Sequence, residues 1–260
     1  MFSGKGSFLP NLMPETKYSA SSEKPRGRLY LIPAPLGETG LISDVIPELN
    51  QIIIQGLNLF IVEELRTARR YLKRINKSIN IDALEFMIFN EHTVKEDIHQ
   101  YIEPLLDGRS AGILSEAGLP CLADPGSEIV AEAHRNHIEV IPLTGPSSLF
   151  LALMASGFNG QNFAFHGYLP VDKLQRSKKL RQLENLSRQN TQTQIFIETP
   201  YRNQQMIQAI LENCSSETML CVAADLTLPT QKIISRPVKF WQKNIFDFQK
   251  RPAVFLLYAR

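Results

Sequence analysis

The chain has 260 residues, of which 43% are hydrophobic and 21% are charged, and its formal net charge is +2 at pH 7. This balance is typical of a folded protein with one large α/β unit or two smaller domains, and it excludes a chain disordered throughout. No apolar run approaches the ~18 residues of a membrane-spanning helix, so we expect no membrane association. Cys121, Cys214 and Cys221 have no CxxC spacing, which argues against a disulfide framework or a zinc site and favours a cytoplasmic protein.

Residues 1–27 are rich in Ser, Gly, Pro and Lys and lack the apolar core of ~7–15 residues that a secretory signal needs. We expect them to form a polar flexible tail. From Arg28 onward, short apolar runs alternate with segments of helical period, which predicts crossover connections and a mostly parallel sheet. Strands are predicted at 29–35, 57–64, 84–90, 110–116 and 138–144, and helical segments at 42–53, 67–76, 94–106, 128–137 and 147–156. Gly157, just past the last helix, suits the positive-φ position that ends a helix.

The alternation pauses at 167–172, and the most charged helical segment of the chain follows at 173–189. We place a domain boundary there. Beyond it, strands are predicted at 193–198, 219–226, 233–241 and 253–260, with a helix at 201–211. The predicted fold class is α/β with two domains. The N-terminal domain, 28–167, has a mostly parallel sheet with helices on both faces, and the C-terminal domain, 168–260, has a mixed sheet.

Four loops rich in small residues or proline follow predicted strands. They are PAPLGETG at 33–40, SEAGLPCLADPG at 115–126, TGPSS at 144–148 and ETPYR at 198–202. Any one of them alone is compatible with a plain structural turn. Loops at the carboxyl ends of strands converge on the ligand crevice of open α/β sheets, so the four together favour a ligand site. The second loop also exceeds the ~2–6 residues usual for such connections.

The helix predicted after the second strand carries cations three and four residues apart, with no acid among them. They are Arg66, Arg69, Arg70, Lys73, Arg74 and Lys77. Like charges at these spacings destabilise a helix, and an anionic partner relieves them. Guanidinium groups match phosphate oxygens in geometry, which favours contact with a nucleic-acid backbone. The alternative is a merely solvated face.

Glu63 and Glu64 end the second predicted strand. Adjacent strand residues point to opposite faces, so at most one of them faces a crevice, where it could orient or deprotonate a hydroxyl group. The alternative is a local ion pair with a neighbouring arginine. His92 is a further candidate at a strand end, whereas His134 and His137 lack a third ligand, so no metal site is predicted. No P-loop, GxSxG or HExxH sequence is present.

Several motifs occur in a recognisable order: LYLIPAPLGETG, VEELR, SEAGLPCLADPG, LTGPSS, FHGYLP and IFIETPYR. In order and spacing they resemble those of the tetrapyrrole methylase superfamily, and within it the bacterial 16S ribosomal RNA cytidine 2′-O-ribose methyltransferases. The resemblance covers 27–260. It implies a two-domain tetrapyrrole methylase-like fold, S-adenosylmethionine bound in the cleft between the domains, methyl transfer to a ribose 2′-hydroxyl of RNA, and usually a homodimer.

The resemblance also implies roles for particular positions. The S-adenosylmethionine site would include Pro35, Gly37, Glu116, Ala117, Gly118, Gly145, Pro146, Ser147, Ser148, Thr199 and Tyr201. Glu63, Glu64 and Arg66 match the stretch that faces the methyl acceptor, and are the catalytic candidates. The small-subunit ribosomal RNA would lie on Arg69, Arg70, Lys73, Arg74 and Lys77. No metal is implied.

The chain departs from the family pattern mainly at polar positions on the acceptor side. These departures are Glu38 for Asn, Leu41 for Asp, Glu64-Leu65 for Asp-Thr, Glu116 for Asp, Leu119 for Thr, and Ala224-Asp225-Leu226-Thr227-Leu228 for Ala-Arg-Glu-Leu-Thr-Lys. Two alternatives therefore stay open beside the RNA methyltransferase. One is a methyltransferase with a small-molecule acceptor, and the other is a non-catalytic protein that binds S-adenosylmethionine.

Overall fold

A computed structural model describes residues 25–38, 40–90, 92–93, 95–244 and 246–260. Residues 1–24 of the predicted tail therefore lie outside the described residues. The strands are β1 Arg28–Ile32, β2 Leu59–Val62, β3 Glu85–Ile88, β4 Ala111–Leu114, β5 Glu139–Pro142, β6 Phe163–Tyr168, β7 Thr193–Ile197, β8 Met219–Ala224, β9 Lys232–Pro237 and β10 Ala253–Tyr258. The α-helices are α1 Glu48–Gln55, α2 Leu65–Ile75, α3 Glu103–Leu106, α4 Ser127–Arg135, α5 Ser148–Ser156, α6 Lys173–Asn190, α7 Asn203–Asn213 and α8 Val238–Lys243.

The first sheet has the order β3-β2-β4-β1-β5, and its strands all run parallel. β2 and β4 are buried along their whole length, as expected for central strands covered on both faces. Apolar residues of α1 and α2 pack on one face of this sheet, and those of α3 and α4 pack on the other. The sequence prediction of a parallel sheet between two helical layers is confirmed.

The second sheet has the order β6-β7-β10-β8-β9. β6 and β7 are parallel, and the other neighbouring pairs are antiparallel, so the sheet is mixed as predicted. Helices α6, α7 and α8 cover one of its faces. Helix α5 follows the last strand of the first sheet but packs its Ala152 and Leu153 on the other face of the second sheet. This helix therefore joins the two sheets.

Three predicted elements differ in the structure. The helix predicted at 42–53 is a 3₁₀ helix, Ile42–Asp44, and a separate helix α1, because Pro47 has no backbone N–H with which to continue one helix through this segment. The segment 233–241 is not one strand, because β9 ends at Pro237 and α8 follows directly. Val238 and Trp241, three residues apart, then share the face of α8 that enters the core. The helix predicted at 94–106 is a 3₁₀ helix, Lys95–Tyr101, followed by the short α3, and its predicted first residue lies outside the described residues.

Strand β6 has no counterpart in the sequence prediction. It lies at the edge of the second sheet, is only partly buried, and contains an irregularity before Tyr168, where Gly167 has φ +62°. Its pairing with β7 extends the second sheet across the predicted boundary at 167/168. The division of the chain there remains a prediction, and the pairing favours a division before 163.

Other boundaries agree closely with the pattern. Helix α5 ends at Ser156, and Gly157 has φ +73°, which confirms the predicted helix terminus. Helix α2 begins two residues earlier than predicted, at Leu65, because the Glu64 side chain caps it. Within the described part of the chain, no helix has the length and apolar character needed to cross a bilayer.

Candidate active site

Three loops are locked together at the carboxyl ends of the first sheet. Ala34 and Gly118 exchange backbone hydrogen bonds of 2.8 and 3.0 Å, which join the loops after β1 and β4. Gly145, in the loop after β5, lies so close to Pro33 that an added Cβ would be 2.2 Å from the Pro33 Cβ. The order β4-β1-β5 explains these contacts, since it places the ends of three neighbouring parallel strands side by side.

We expect Gly145→Ala to lower the free energy of unfolding by about 1–3 kcal/mol, because the new methyl group must displace the rigid ring of Pro33. Denaturant unfolding followed by circular dichroism measures the change. Gly160→Ala is the matched control, since nothing lies within 4 Å of the added Cβ, and its stability should stay within about 0.5 kcal/mol of wild type. Equal stability of the two variants would contradict the close loop contact.

A cavity of about 320 Å³, here named the central cavity, opens between these loops and the second sheet. Its wall on the side of the first sheet includes Leu36, Glu63, Ser115, Glu116, Ala117, Gly118, Asp124, Ser147 and Ser148. Its wall on the side of the second sheet includes Phe165, Tyr168, Ile197, Glu198, Ala223, Asp225 and Val254. The volume falls within the ~300–1,000 Å³ of small-molecule sites. Carboxylates beside apolar side chains suit a ligand that combines a positive charge with an apolar ring.

Glu63 is the predicted catalytic residue that faces the central cavity. It follows β2, and its carboxylate is half-buried. Burial, reinforced by the carboxylates of Asp124 and Glu116, raises the pKa of Glu63 to about 7, although the backbone N–H of Glu116 donates to it and opposes the shift. A carboxylate with this pKa is able to accept a proton near neutral pH, as a general base must.

Glu64 has a different role. Its carboxylate accepts hydrogen bonds from the backbone N–H groups of Arg66 and Thr67, at 2.8 and 2.5 Å, and so caps helix α2. These hydrogen bonds, the one from Arg66 first, lower the pKa of Glu64. The side chain of Arg66 is exposed and does not line the central cavity. Of the three catalytic candidates, the structure therefore brings only Glu63 to the cavity.

A second, larger concavity of about 710 Å³ lies beside the central cavity, between the loop after β1 and helix α2. We name it the basic groove. Its rim carries four of the six predicted cations, Arg69, Arg70, Lys73 and Arg74, and its interior includes Ala34, Pro35, Leu36, Gly37, Thr67, Ala68, Tyr71 and Leu114. Leu36, Ser115, Glu116 and Ala117 line both concavities and are named the shared wall.

The cations of the groove hold neighbouring segments in place. Arg70 forms an ion pair of 2.8 Å with Glu38, and both side chains are largely exposed. Arg74 donates to the backbone carbonyls of Gly37 and Gly40, at 3.5 and 3.3 Å. The guanidinium of Arg69 lies over the ring of Phe86. The helix itself contains no acid, as the sequence shows, but the loop after β1 supplies one.

The lysines of the same helix are arranged differently. Lys73 donates to the backbone carbonyls of Lys77 and Ile79, at 3.1 and 2.7 Å, just beyond the carboxyl end of α2. The side chain of Lys77 is exposed and does not line the groove. Lys73 therefore closes the end of the helix as well as contributing charge to the rim.

The predicted cofactor residues divide among three locations. Glu116, Ala117, Gly118, Ser147 and Ser148 line the central cavity. Pro35 and Gly37 line the basic groove instead, and Gly145 and Pro146 line neither concavity. Thr199 and Tyr201 also stay outside both concavities, whereas their neighbours Glu198 and Pro200 line the central cavity.

Three acids of the central cavity were not among the sequence candidates. Asp124 accepts from the backbone N–H groups of Cys121 and Gly126, and its burial raises its pKa. Glu198 is buried and pairs with Arg202 at 2.6 Å, and Asp225 pairs with Arg251 at 2.8 Å. Glu198 and Asp225 directly follow β7 and β8. The position of an acidic residue directly after a buried strand is the sequence signal by which Glu198 and Asp225 could have been predicted as site residues.

The remaining histidine and metal predictions concern other parts of the chain. His92 has an exposed side chain that lines neither concavity. Among the described residues, no group of three or more His, Cys, Asp or Glu side chains is arranged to hold a metal ion.

Comparison with solved structures places the fold. The methyltransferase CobJ matches with a TM-score of 0.58 at 16% identity, over 90% of this chain and 94% of its own. A cobalt precorrin-4 methyltransferase matches with a TM-score of 0.56 at 16% identity, over 89% of this chain and 94% of its own. At this identity the two matches establish the two-sheet fold.

Comparison with characterised sequences gives the class of protein. Ribosomal RNA small subunit methyltransferase I of Vibrio cholerae is 30% identical over 81% of this chain and 68% of its own length. The protein of the same name from Thermotoga maritima is 32% identical over 86% of this chain and 93% of its own. Together with the fold and the cavity between the sheets, these matches define a methyltransferase. The chain belongs to the tetrapyrrole (corrin/porphyrin) methylases, whose family model matches residues 28–239, and the resemblance found in the sequence is confirmed.

Proposed function

We propose that this methyltransferase binds S-adenosylmethionine in the central cavity, in the cleft between the two domains, and methylates a ribose 2′-hydroxyl of small-subunit ribosomal RNA. The observation that carries the proposal is the shared wall. A cavity of small-molecule size and a groove with a cationic rim meet at Leu36, Ser115, Glu116 and Ala117. A donor in one and an acceptor strand in the other are therefore adjacent.

The residues of the central cavity fit the donor. S-adenosylmethionine supplies an electrophilic methyl group on a positively charged sulfonium, together with an adenine ring. The carboxylates of Glu63, Glu116 and Asp124 give the cavity a negative character that favours a cation. Phe165, Ile197 and other apolar residues of the opposite wall suit an adenine ring. The start of α5 lines the cavity and has no side-chain cap, so its first backbone N–H groups offer hydrogen-bond donors.

Glu63 is the group that takes the proton of the acceptor hydroxyl. A hydroxyl is a weak nucleophile until its proton is removed, and positioning together with proton removal supplies most of what the protein adds to such a reaction. Glu63 lies beside Glu116 of the shared wall, where the two concavities meet. Glu64 is occupied as the cap of α2.

The names of the relatives and the charge of the groove support an RNA acceptor. The relatives from Vibrio cholerae and Thermotoga maritima are named as ribosomal RNA methyltransferases. The four cations on the rim match a phosphate backbone in charge and in geometry. An RNA acceptor also agrees with a cytoplasmic location, as does the absence of disulfides among Cys121, Cys214 and Cys221.

Transfer of tritium from methyl-labelled S-adenosylmethionine tests this function. We expect label in small-subunit ribosomal RNA that lacks the modification, and we expect the labelled nucleotide to resist alkaline hydrolysis, since 2′-O-methylation blocks that cleavage. A small-molecule extract serves as the competing acceptor. Label only in the extract would replace the RNA by a small-molecule acceptor, and no label in either fraction would contradict the catalytic proposal.

Glu38 competes with an RNA phosphate for Arg70, so we expect Glu38→Gln to strengthen RNA binding about two- to fivefold at low salt. The modest size follows from the exposure of both side chains. Fluorescence anisotropy with labelled RNA over a range of salt concentrations measures the change. Glu48→Gln, an exposed residue of α1 outside the groove, makes the same change in charge and should leave the affinity unchanged. An equal gain in both variants would indicate a general charge effect.

We infer that the protein forms a homodimer through an apolar face at the second sheet, formed by α5 and β6. Phe150, Met154 and Phe163 are exposed on α5 and the edge strand β6, and the rings of Phe150 and Phe163 lie 6.0 Å apart. Met154→Lys places a charge in this face, so we expect sedimentation to show monomer where the wild type shows dimer. Asp82→Lys, on an exposed site of the first domain, should leave the wild-type state unchanged. A monomeric wild type would contradict the dimer.

A further inference from the structure

The basic groove has an interior that differs in character from its rim. Its cations lie along the rim, whereas Ala34, Leu36, Ala68 and Leu114 make the interior mainly apolar. Its volume of about 710 Å³ is more than twice the 320 Å³ of the central cavity. A groove that only held phosphates would need the rim alone. The apolar recess behind the cations therefore calls for an apolar part of the ligand.

A nucleobase is a ligand whose chemistry complements this apolar recess. Its faces are apolar, and its edges form hydrogen bonds. The ring of Tyr71 lines the recess and is held in place by the hydrogen bond of 2.9 Å from its hydroxyl to the Pro33 carbonyl. The hydroxyl group of Ser115, whose contact with the Ala117 carbonyl is long at 3.5 Å, is a polar group that can meet the edge of a base, whereas the hydroxyl group of Thr67 is hydrogen-bonded to Glu64. The rim cations keep the adjoining phosphates at the entrance.

Resting on the proposed function, we propose that the basic groove is a pocket for one unstacked acceptor nucleoside, whose base enters the apolar recess while its ribose reaches the shared wall. Phosphates held at the rim place the neighbouring nucleotides outside. The acceptor ribose can then approach the shared wall only if its own nucleoside leaves the stack of neighbouring bases. Enzymes that act on single nucleotides commonly extrude them into such a pocket, and unstacking costs least in loops and single strands.

Thr67→Phe tests the pocket by filling it. Thr67 lines the groove but not the central cavity, so the added ring takes volume from the acceptor and leaves the donor site unchanged. We expect kcat/KM for labelled methyl transfer to RNA to fall at least about tenfold, with the affinity for S-adenosylmethionine within about twofold of wild type. Ile52→Phe adds the same ring on an exposed face of α1 outside both concavities, and should match wild type.

A fluorescent RNA gives a second readout. Once the labelled nucleotide is mapped, 2-aminopurine is placed beside it in a synthetic RNA, where its fluorescence rises when the neighbouring base unstacks. We expect a rise of several fold on binding wild type or Ile52→Phe, and a much smaller rise with Thr67→Phe at saturating protein. Wild-type transfer by Thr67→Phe, or no fluorescence change with wild type, would overturn the pocket alone. Absence of transfer to RNA by wild type would overturn the proposed function and the pocket with it.

Discussion

Glu63→Gln should lower the rate of methyl transfer by about 10²–10⁴-fold, because it removes the group that accepts the hydroxyl proton while keeping the shape of the side chain. Burial and the carboxylates of Asp124 and Glu116 raise the pKa of Glu63 to about 7. The base works in its deprotonated form, so the wild-type rate should rise with pH through about 7 and then level off. Glu63→Gln should lose this rise. Single-turnover transfer measured across pH 5.5–8.5 records both effects.

Two controls separate this role from a structural one. Titration calorimetry should give Glu63→Gln an affinity for S-adenosylmethionine within a few-fold of wild type. Glu64→Gln changes the adjacent carboxylate, which caps α2, so it should lower the stability of the protein and keep the pH-dependent rise. If Glu63→Gln keeps the rise and Glu64→Gln loses it, the two residues have been assigned the wrong way round.

The triple variant Arg69→Ala, Arg70→Ala and Lys73→Ala should weaken RNA binding on the order of a hundredfold at low salt, because three phosphate contacts disappear from the rim of the groove. The slope of log affinity against log salt should flatten by about 2–3 for the same reason. Anisotropy titrations at several salt concentrations measure both quantities.

A second triple variant supplies the matched change in charge. Arg109, Arg135 and Lys239 are exposed cations outside the basic groove, and each forms an ion pair with a carboxylate. Their replacement by Ala should reduce the affinity much less and should leave the salt dependence close to wild type. Equal losses in the two triple variants would mean that net charge, rather than the groove, determines RNA binding.

The fold class could be predicted from the sequence because most strands of both sheets are recognisable from local sequence patterns. Buried parallel strands such as β2 and β4 appear as short continuous apolar runs, and small-residue loops follow them. The order of the strands is a long-range property that no local pattern contains. Strand β6 was missed because it is an edge strand with an irregular middle. Helix α8 was taken for a strand because β-branched and aromatic residues continue past Pro237, where β9 ends, as far as Trp241.

The site was predicted in part for a similar reason. Alternation along a strand shows that Glu63 and Glu64 point to opposite sides, but only the packing of α2 decides which of them meets the cavity. The resemblance carried Thr199 and Tyr201 into the site, whereas the structure brings their neighbours Glu198 and Pro200 to the cavity wall. A motif identifies the segment of the chain that contributes to a site, and the backbone conformation of that segment determines which of its side chains face the ligand.

Isothermal titration with S-adenosylmethionine tests most directly whether the central cavity holds the methyl donor. We predict saturable binding at one site per chain, with competition by S-adenosylhomocysteine. Ala117→Trp, at an exposed residue of the shared wall, should weaken binding at least about tenfold, since the indole ring occupies volume that the ligand needs. Ile52→Trp should bind as wild type does. Absence of binding by wild type, or unchanged binding by Ala117→Trp, would contradict the assignment of this cavity to the donor.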